Sequence, residues 1–246
     1  EGITIPFIAR YRKEATGALD EEKIRSIEET YRKEENLYNR KLDVIRLIDE
    51  KGMMTDELKT EIMNCTKLVE VEDLYLPYKE KKKTKASEAI KNGLQGLADF
   101  IMKFTKDPSI EAEKYLNENV LDVEAALQGA KYIIAENISD NAKFRKYIRD
   151  SIKNYGTIKT KVKKNNPDET KTYEIYYEFE SKIKYLKPHQ ILAINRAEKE
   201  KVITVSFDFD KDYIINYLEK RIVKDKNSLS SKLVSESIKD SLDRLI

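Results

Sequence analysis

The sequence predicts a mostly α-helical protein, a multi-helix array around one long central helix, with a small β element near residues 157–164 and 202–207. Only 7 Gly and 5 Pro occur in 246 residues, too few for the tight turns of a β-sandwich or barrel. Charged residues are 37% and apolar residues 40% of the chain, a composition typical of folded, charge-rich helical proteins. The 47 Lys and Arg against 45 Asp and Glu leave a formal net charge of +2.

The long helix is expected between Asp20, a plausible N-cap, and Gly52, a plausible C-terminal stop. No Gly or Pro interrupts it, and it would be roughly 48 Å long at the helical rise per residue. We expect one apolar stripe to be buried along its length. The stripe contains Ile24, Ile27, Tyr31, Tyr38, Leu42, Ile45 and Ile48. A two-stranded coiled-coil dimer is the alternative, which Glu34 and Lys41 disfavour because they break the heptad pattern.

Shorter helices follow wherever cap residues, Gly and Pro punctuate apolar periodicity. They are expected at 55–64, 66–76, 85–92, 97–104, 109–116, 123–137, 140–155, 189–201, 210–223 and 230–246. After Gly156 the pattern changes, because residues 157–164 alternate and residues 202–207 are β-branched, so the two runs can pair. Residues 173–179 also alternate, which indicates either the second limb of a β-hairpin or a short helix with an aromatic face.

Cysteine and hydropathy patterns indicate the cellular compartment. The single Cys65 cannot form an internal disulfide, and no apolar run approaches the ~20 residues that span a bilayer. We therefore expect a cytoplasmic protein without a membrane partner. The chain begins at Glu1 rather than Met and ends within an apolar pattern, so we expect it to be a piece of a longer protein.

Candidate catalytic residues are few. His189 is the only histidine, and one His with one Cys supplies neither a transition-metal site nor an obvious nucleophile–base pair. No Gly-rich phosphate loop is present, and we expect no cofactor, no metal and no enzyme activity. Asp208 and Asp210 follow a predicted strand, where a turn and an N-cap explain them. A hydrolase using this pair is the alternative, and it requires a metal or a third carboxylate.

Basic residues are segregated despite the small net charge. Arg10, Arg12 and Lys13 surround Tyr11, and residues 79–91 hold six Lys against two Glu, a net charge of 6 − 2 = +4. A third run is Lys159, Lys161, Lys163 and Lys164. Such clusters are suited to phosphate contact, although a lysine run is also a common solvated surface.

Five blocks of sequence resemble the Tex family, the bacterial transcription accessory proteins. These blocks are Thr4–Gly17, Glu72–Lys79, Ala126–Lys131, Tyr173–Phe179 and Pro188–Arg196. The resemblance implies a modular protein whose helical N-terminal region contains helix-turn-helix-like elements, followed by an RNase-H-like domain, a helix-hairpin-helix module and an OB-type RNA-binding domain. It also implies similarity to the core of a eukaryotic elongation factor that handles nucleosomes.

The resemblance places a helical Tex N-terminal-like region at 1–156 and a mixed segment at 157–246 that leads to an absent RNase-H-like domain. Three residues depart from the family pattern. Gln190 stands where Arg is expected, and Ala197 and Lys201 stand where Gly is expected. We therefore expect the loop before Val202 to differ in shape.

We interpret the chain as a non-enzymatic scaffold that helps position nucleic acid, RNA or DNA, and transcription machinery through weak, sequence-independent contacts. The residues expected to donate hydrogen bonds to phosphate groups are Arg10, Arg12, Lys13, Lys79, Lys81, Lys82, Lys83 and Lys85. The alternative is a helical protein–protein interaction scaffold whose lysines only confer solubility. An uncovered apolar surface along the long helix would favour this alternative.

Overall fold

A computed structural model describes residues 2–80, 83–165 and 167–246, and it confirms the mostly α-helical class with a small sheet. The chain divides into two compact units, Glu1–Lys79 and Glu80–Ile246. The change of pattern at residue 157 therefore falls inside the second unit. The division at 156/157 stays a prediction. No helix in the described ranges is long and apolar enough to cross a membrane.

The first unit is a small helical cluster. Its helices are α1 (Ile5–Tyr11), α2 (Lys13–Thr16), α3 (Glu21–Asp49), α4 (Asp56–Asn64) and α5 (Leu68–Tyr75), followed by a 3-10 turn at Leu76–Tyr78. Asp20 caps α3 as expected, because its carboxylate accepts a hydrogen bond from the Lys23 amide at 2.8 Å. Arg40 on α3 donates to both oxygens of Glu72 on α5, at 2.6 and 3.2 Å. This bidentate pair fixes α5 against the long helix.

The long helix is buried through a different face from the one predicted. Its buried side chains are Leu37, Val44 and Ile48, all in the C-terminal half, where α4 and α5 contact it. Ile48 belongs to the predicted stripe and is buried, but Tyr31 is 65% exposed and Tyr38 is 52% exposed, so the expectation of a stripe buried along the whole helix was wrong. At 3.6 residues per turn, the centre of that stripe lies about 100° around the helix axis from the buried residues.

The second unit is larger and combines helices with the sheet. Its helices are α6 (Lys85–Lys91), α7 (Gln95–Ile101), α8 (Pro108–Ala112), α9 (Val123–Asp140), α10 (Ala142–Tyr155), α11 (Pro188–Lys199), α12 (Lys211–Ile222) and α13 (Ser230–Leu245). Its strands are β1 (Thr157–Val162), β2 (Glu180–Lys182) and β3 (Ile203–Asp208).

Helix α9 lies at the centre of the second unit, in contact with α6, α7, α8, α10 and α13. Small residues allow α6 to approach it closely, since Ala86 and Ala89 on α6 and Ala126 and Ala130 on α9 are all buried. Gly129 belongs to the same surface: a Cβ there would lie 2.3 Å from the Leu94 side chain. The block Ala126–Lys131 therefore reflects helix packing.

The sheet confirms one expected pairing and settles one open alternative. Its order is β2–β1–β3, and β1 pairs antiparallel with β3 from Thr157↔Asp208 to Val162↔Ile203. The second partner of β1 is β2, in register from Thr157↔Lys182 to Lys159↔Glu180. Residues Glu174–Tyr176 form a 3-10 turn instead of a strand. The rest of the segment continues as the second limb of a hairpin, because the carbonyls of Phe179 and Tyr177 accept hydrogen bonds from the amides of Thr160 and Val162, both at 2.9 Å. Each of the two interpretations thus holds for one part of the aromatic segment.

Candidate nucleic-acid contacts

The first predicted cluster lies where α1 meets α2. Arg12 separates the two helices, and its carbonyl oxygen accepts a hydrogen bond from the Thr16 hydroxyl at 3.2 Å. Arg10, Arg12 and Lys13 are all exposed. Tyr11 is exposed as well, and its ring lies 4.9 Å from that of Phe7. The structure thus brings three cations and an aromatic pair onto one short, exposed corner.

The cations of this corner differ from those of α3 in their local partners. Within the described part of the chain, Arg10, Arg12 and Lys13 form no ion pair. On α3, by contrast, Arg25 pairs with Glu21 at 2.8 Å. Arg32 and Arg46 of α3 have similar partners one turn away. The charge of the corner is therefore not neutralised locally.

The second predicted cluster, residues 79–85, runs across the boundary between the two compact units. Lys81 and Lys82 lie outside the described residues. Lys79 is exposed at the end of the first unit. In the second unit Lys83 pairs with Glu88 at 2.7 Å, and the hydrogen bond and charge of Glu88 raise the pKa of Lys83. Lys85 lies 5.0 Å from the centre of the Tyr132 ring, within cation–π distance.

The third basic run begins on β1 with Lys159 and Lys161, continues past the end of the strand, and is partly neutralised. The Lys159 ammonium lies 2.8 Å from the Asp208 carboxylate and 3.7 Å from that of Glu180. The Asp208 hydrogen bond is the main reason that the pKa of Lys159 is raised, and the same bond lowers the pKa of Asp208. Lys159 therefore serves cross-strand pairing in the sheet.

The residues considered for catalysis occupy structural positions. The Asp210 carboxylate caps α12 by accepting the Tyr213 amide at 2.9 Å. Cys65 is buried in the core of the first unit, and His189 is exposed in the first turn of α11. Across the described ranges, no three His, Cys, Asp or Glu residues come together in a group that would hold a metal ion.

Helix α10 carries a basic cluster that our sequence analysis missed. Five of its 14 residues are cations, and Asp150 is its one carboxylate. The cations are Lys143, Arg145, Lys146, Arg149 and Lys153. The signal was present in the sequence, because these cations alternate with Tyr147 and Tyr155 in the manner of nucleic-acid-binding surfaces.

Tyrosines from α10 and α12 meet beside this basic cluster. The rings of Tyr147 and Tyr217 are stacked, with centroids 3.2 Å apart and planes within 4°. The Arg221 guanidinium lies 3.5 Å from the Tyr217 centroid, and it must occupy the opposite ring face because Tyr147 covers the first. The rings of Tyr155 and Tyr213 meet edge to face at 6.4 Å. Burial, followed by a hydrogen bond with Tyr213, raises the pKa of Tyr147.

Comparison with known families decides the identity of the chain. A family model described as Tex central region-like matches residues 103–239, and one described as Tex-like protein N-terminal domain matches residues 1–49. The chain belongs to the Tex family. The two matches include the α1–α2 corner, helices α9–α12 and the whole sheet.

Relatives of this chain occur in distant organisms. The uncharacterized protein YdcI of Bacillus subtilis is 47% identical over 251 residues, which cover 100% of this chain and 35% of the relative. The transcriptional accessory protein Tex of Neisseria gonorrhoeae is 37% identical over 213 residues, 86% of this chain and 28% of the relative. The human S1 RNA-binding domain-containing protein 1 is 29% identical over 260 residues, 99% of this chain and 26% of the relative. The chain thus spans about a third or less of these relatives.

Proposed function

We propose that this Tex chain is a non-enzymatic, cytoplasmic segment of a transcription accessory protein and contributes weak, sequence-independent phosphate contacts to nucleic acid. The names of two relatives support this proposal, since one is a transcriptional accessory protein and the other is an S1 RNA-binding domain-containing protein. The observation that carries the proposal is the exposed α1–α2 corner. Arg10, Arg12 and Lys13 in this corner are exposed to solvent, and none of them forms an ion pair with another described residue.

Phosphate contact by these residues would have a defined salt signature. Each neutralised phosphate contributes a slope of roughly −0.9 on a duplex, or −0.7 on a single strand, in log K against log salt. Three contacts give a slope of roughly −2 to −3. We expect affinities no tighter than roughly 10⁻⁴–10⁻⁶ M, the range of non-specific binding.

The test compares two variants with the same net charge. One replaces Arg10, Arg12 and Lys13 by Gln, and the control replaces Arg25, Arg32 and Arg46, which are paired on α3. Both change the formal net charge from +2 to 2 − 3 = −1. Anisotropy titrations with labelled DNA and RNA at several salt concentrations should show a flattened slope for the first variant only. Equal behaviour of the two variants would mean that the corner is only a solvated surface.

A helical protein–protein interaction scaffold is the second candidate function, and one observation favours it. Ile27, Tyr31, Tyr38 and Leu42 of α3 are all exposed, so the long helix presents an uncovered apolar stripe. Tyr31 and Tyr38, seven residues apart, can pack against the same residues of a second copy. Sedimentation equilibrium should then show a dimer that Tyr31→Glu abolishes, whereas a wild-type chain that stays monomeric at high concentration would exclude this arrangement.

A further inference from the structure

The cleft between α10 and α12 in the second unit has the size and lining of a ligand site. Two cavities of about 390 Å³ each adjoin there, sharing Ser151, Tyr155 and Tyr213 as lining residues. Ligand pockets typically measure about 300–1,000 Å³ and combine aromatic walls with a few polar groups. Asn154 supplies an amide to the wall of one cavity. None of the described residues that were predicted to contact phosphate lines this cleft.

The tyrosines of the cleft differ in exposure, and the difference indicates their roles. Tyr147 is partly buried in its stack with Tyr217, so this pair forms a fixed floor. Tyr155 is 69% exposed and Tyr213 is 55% exposed, although both line the cavities. Such exposed rings contribute little to the core, but they offer free π faces for stacking. A flat aromatic ligand therefore fits this wall best.

The charges around the cleft indicate an anionic ligand. Lys143 and Lys146 line the same cavity as Tyr147 and Tyr155. Two carboxylates also line the cleft. Asp210 is engaged in capping α12, which leaves Lys143 and Lys146 against Asp150 in the cavity that these three residues line. A ligand that joins aromatic rings to negative charge at short intervals would satisfy both parts of the site, and a polynucleotide has this chemistry.

We propose that the α10–α12 cleft binds unstacked bases of single-stranded nucleic acid, with the bases against Tyr155 and Tyr213 and the phosphates near Lys143 and Lys146. The proposal rests on the proposed function only in that the chain contacts nucleic acid. It adds a second site and a substrate class. A duplex does not fit, because its bases are stacked on one another and present no free face to a tyrosine.

The test measures binding of the complete 246-residue chain to labelled oligo(U), oligo(dT) and a duplex of about 12 residues, within the ~4–16-nucleotide site sizes of single-strand binders. Tyr155→Ala and Tyr213→Ala should each weaken single-strand binding at least about fivefold, as expected for loss of one stacked base. Tyr155→Phe and Tyr213→Phe keep the ring and should keep the affinity. Thermal melts establish that each variant is folded.

Tyr185→Ala is the matched control, since Tyr185 is also 69% exposed but does not line the cleft. It should bind all probes like the parent. Comparison of oligo(U) with oligo(dT) distinguishes RNA from DNA, and loss of either in Tyr155→Ala supports the site. A second variant, Lys143→Gln with Lys146→Gln, should weaken single-strand binding without removing a ring.

Two results would overturn the inference. One is single-strand binding by Tyr155→Ala and Tyr213→Ala that equals the parent's, and the other is no single-strand binding by the parent. The variant that replaces Arg10, Arg12 and Lys13 by Gln distinguishes failure of the cleft proposal from failure of the proposed function. If that variant loses binding while the tyrosine variants do not, the corner is the contact site and the cleft is not. Loss in the tyrosine variants alone gives the reverse conclusion.

Discussion

Lys201 adopts a left-handed backbone conformation, with φ of 61°, immediately after α11. The amide of Val202 donates to the Ala197 carbonyl, and the amide of Lys201 donates to that of Glu198, both at 2.9 Å. These two bonds form a Schellman motif, in which Gly usually occupies the position held by Lys201. Lys201 therefore makes this turn in a strained backbone conformation. The expectation that the loop before Val202 differs in shape from the family pattern stays a prediction.

Replacement of this residue should stabilise the protein. Lys201→Gly removes the steric cost of a side chain in the left-handed region, roughly 1–2 kcal/mol, and is partly offset by the greater freedom of Gly in the unfolded chain. We expect a net gain of roughly 0.5–1 kcal/mol in the free energy of unfolding, measured by urea titration. Lys199→Gly, in the last turn of the same helix, should instead cost about 0.5–1 kcal/mol. Destabilisation by both variants would contradict this account.

At the scale of elements, α3 shows why periodicity alone chose the wrong face. The helix has two apolar stripes that meet at Ile48, and the longer one, with Tyr31 and Tyr38, is exposed over most of its length. The shorter one, with Val44 and Ile48, meets α4 and α5 only along the C-terminal half. Which stripe is buried depends on where those short helices fold back, and the pattern within α3 does not contain that information.

The two faces should respond differently to substitution. Tyr38→Asp changes an exposed side chain, so its effect on the free energy of unfolding should stay within about 0.5 kcal/mol. Ile48→Ala removes a fully buried side chain and should cost about 2–5 kcal/mol. Denaturant titrations of both variants test the assignment. A large loss in Tyr38→Asp would show that the heptad stripe is packed after all.

At the scale of the whole molecule, local sequence signals predicted where helices and strands occur better than which of these elements pack against one another. Cap residues located the starts of α3 and α12, because Asp20 and Asp210 each accept a backbone hydrogen bond at the helix start, as expected. Pairing of 157–164 with 202–207 also followed from composition. The cleft between α10 and α12 was not predictable, since it depends on how two helices separated by the sheet and α11 come together in the folded unit.

The absence of catalysis is an expectation for the whole chain. The described residues offer no group of three metal-ligating side chains, and Asp208 and Asp210 are engaged with Lys159 and with the start of α12. A bound ion would stabilise the folded state by about 2.7 kcal/mol at a concentration 100 times its Kd. Millimolar Mg²⁺ or Mn²⁺ should therefore leave the Tm unchanged in calorimetry and produce no cleavage of labelled RNA or DNA. Reproducible cleavage that disappears in Asp208→Asn and Asp210→Asn would show that these carboxylates form a catalytic pair, in place of a strand-end ion pair and a helix cap.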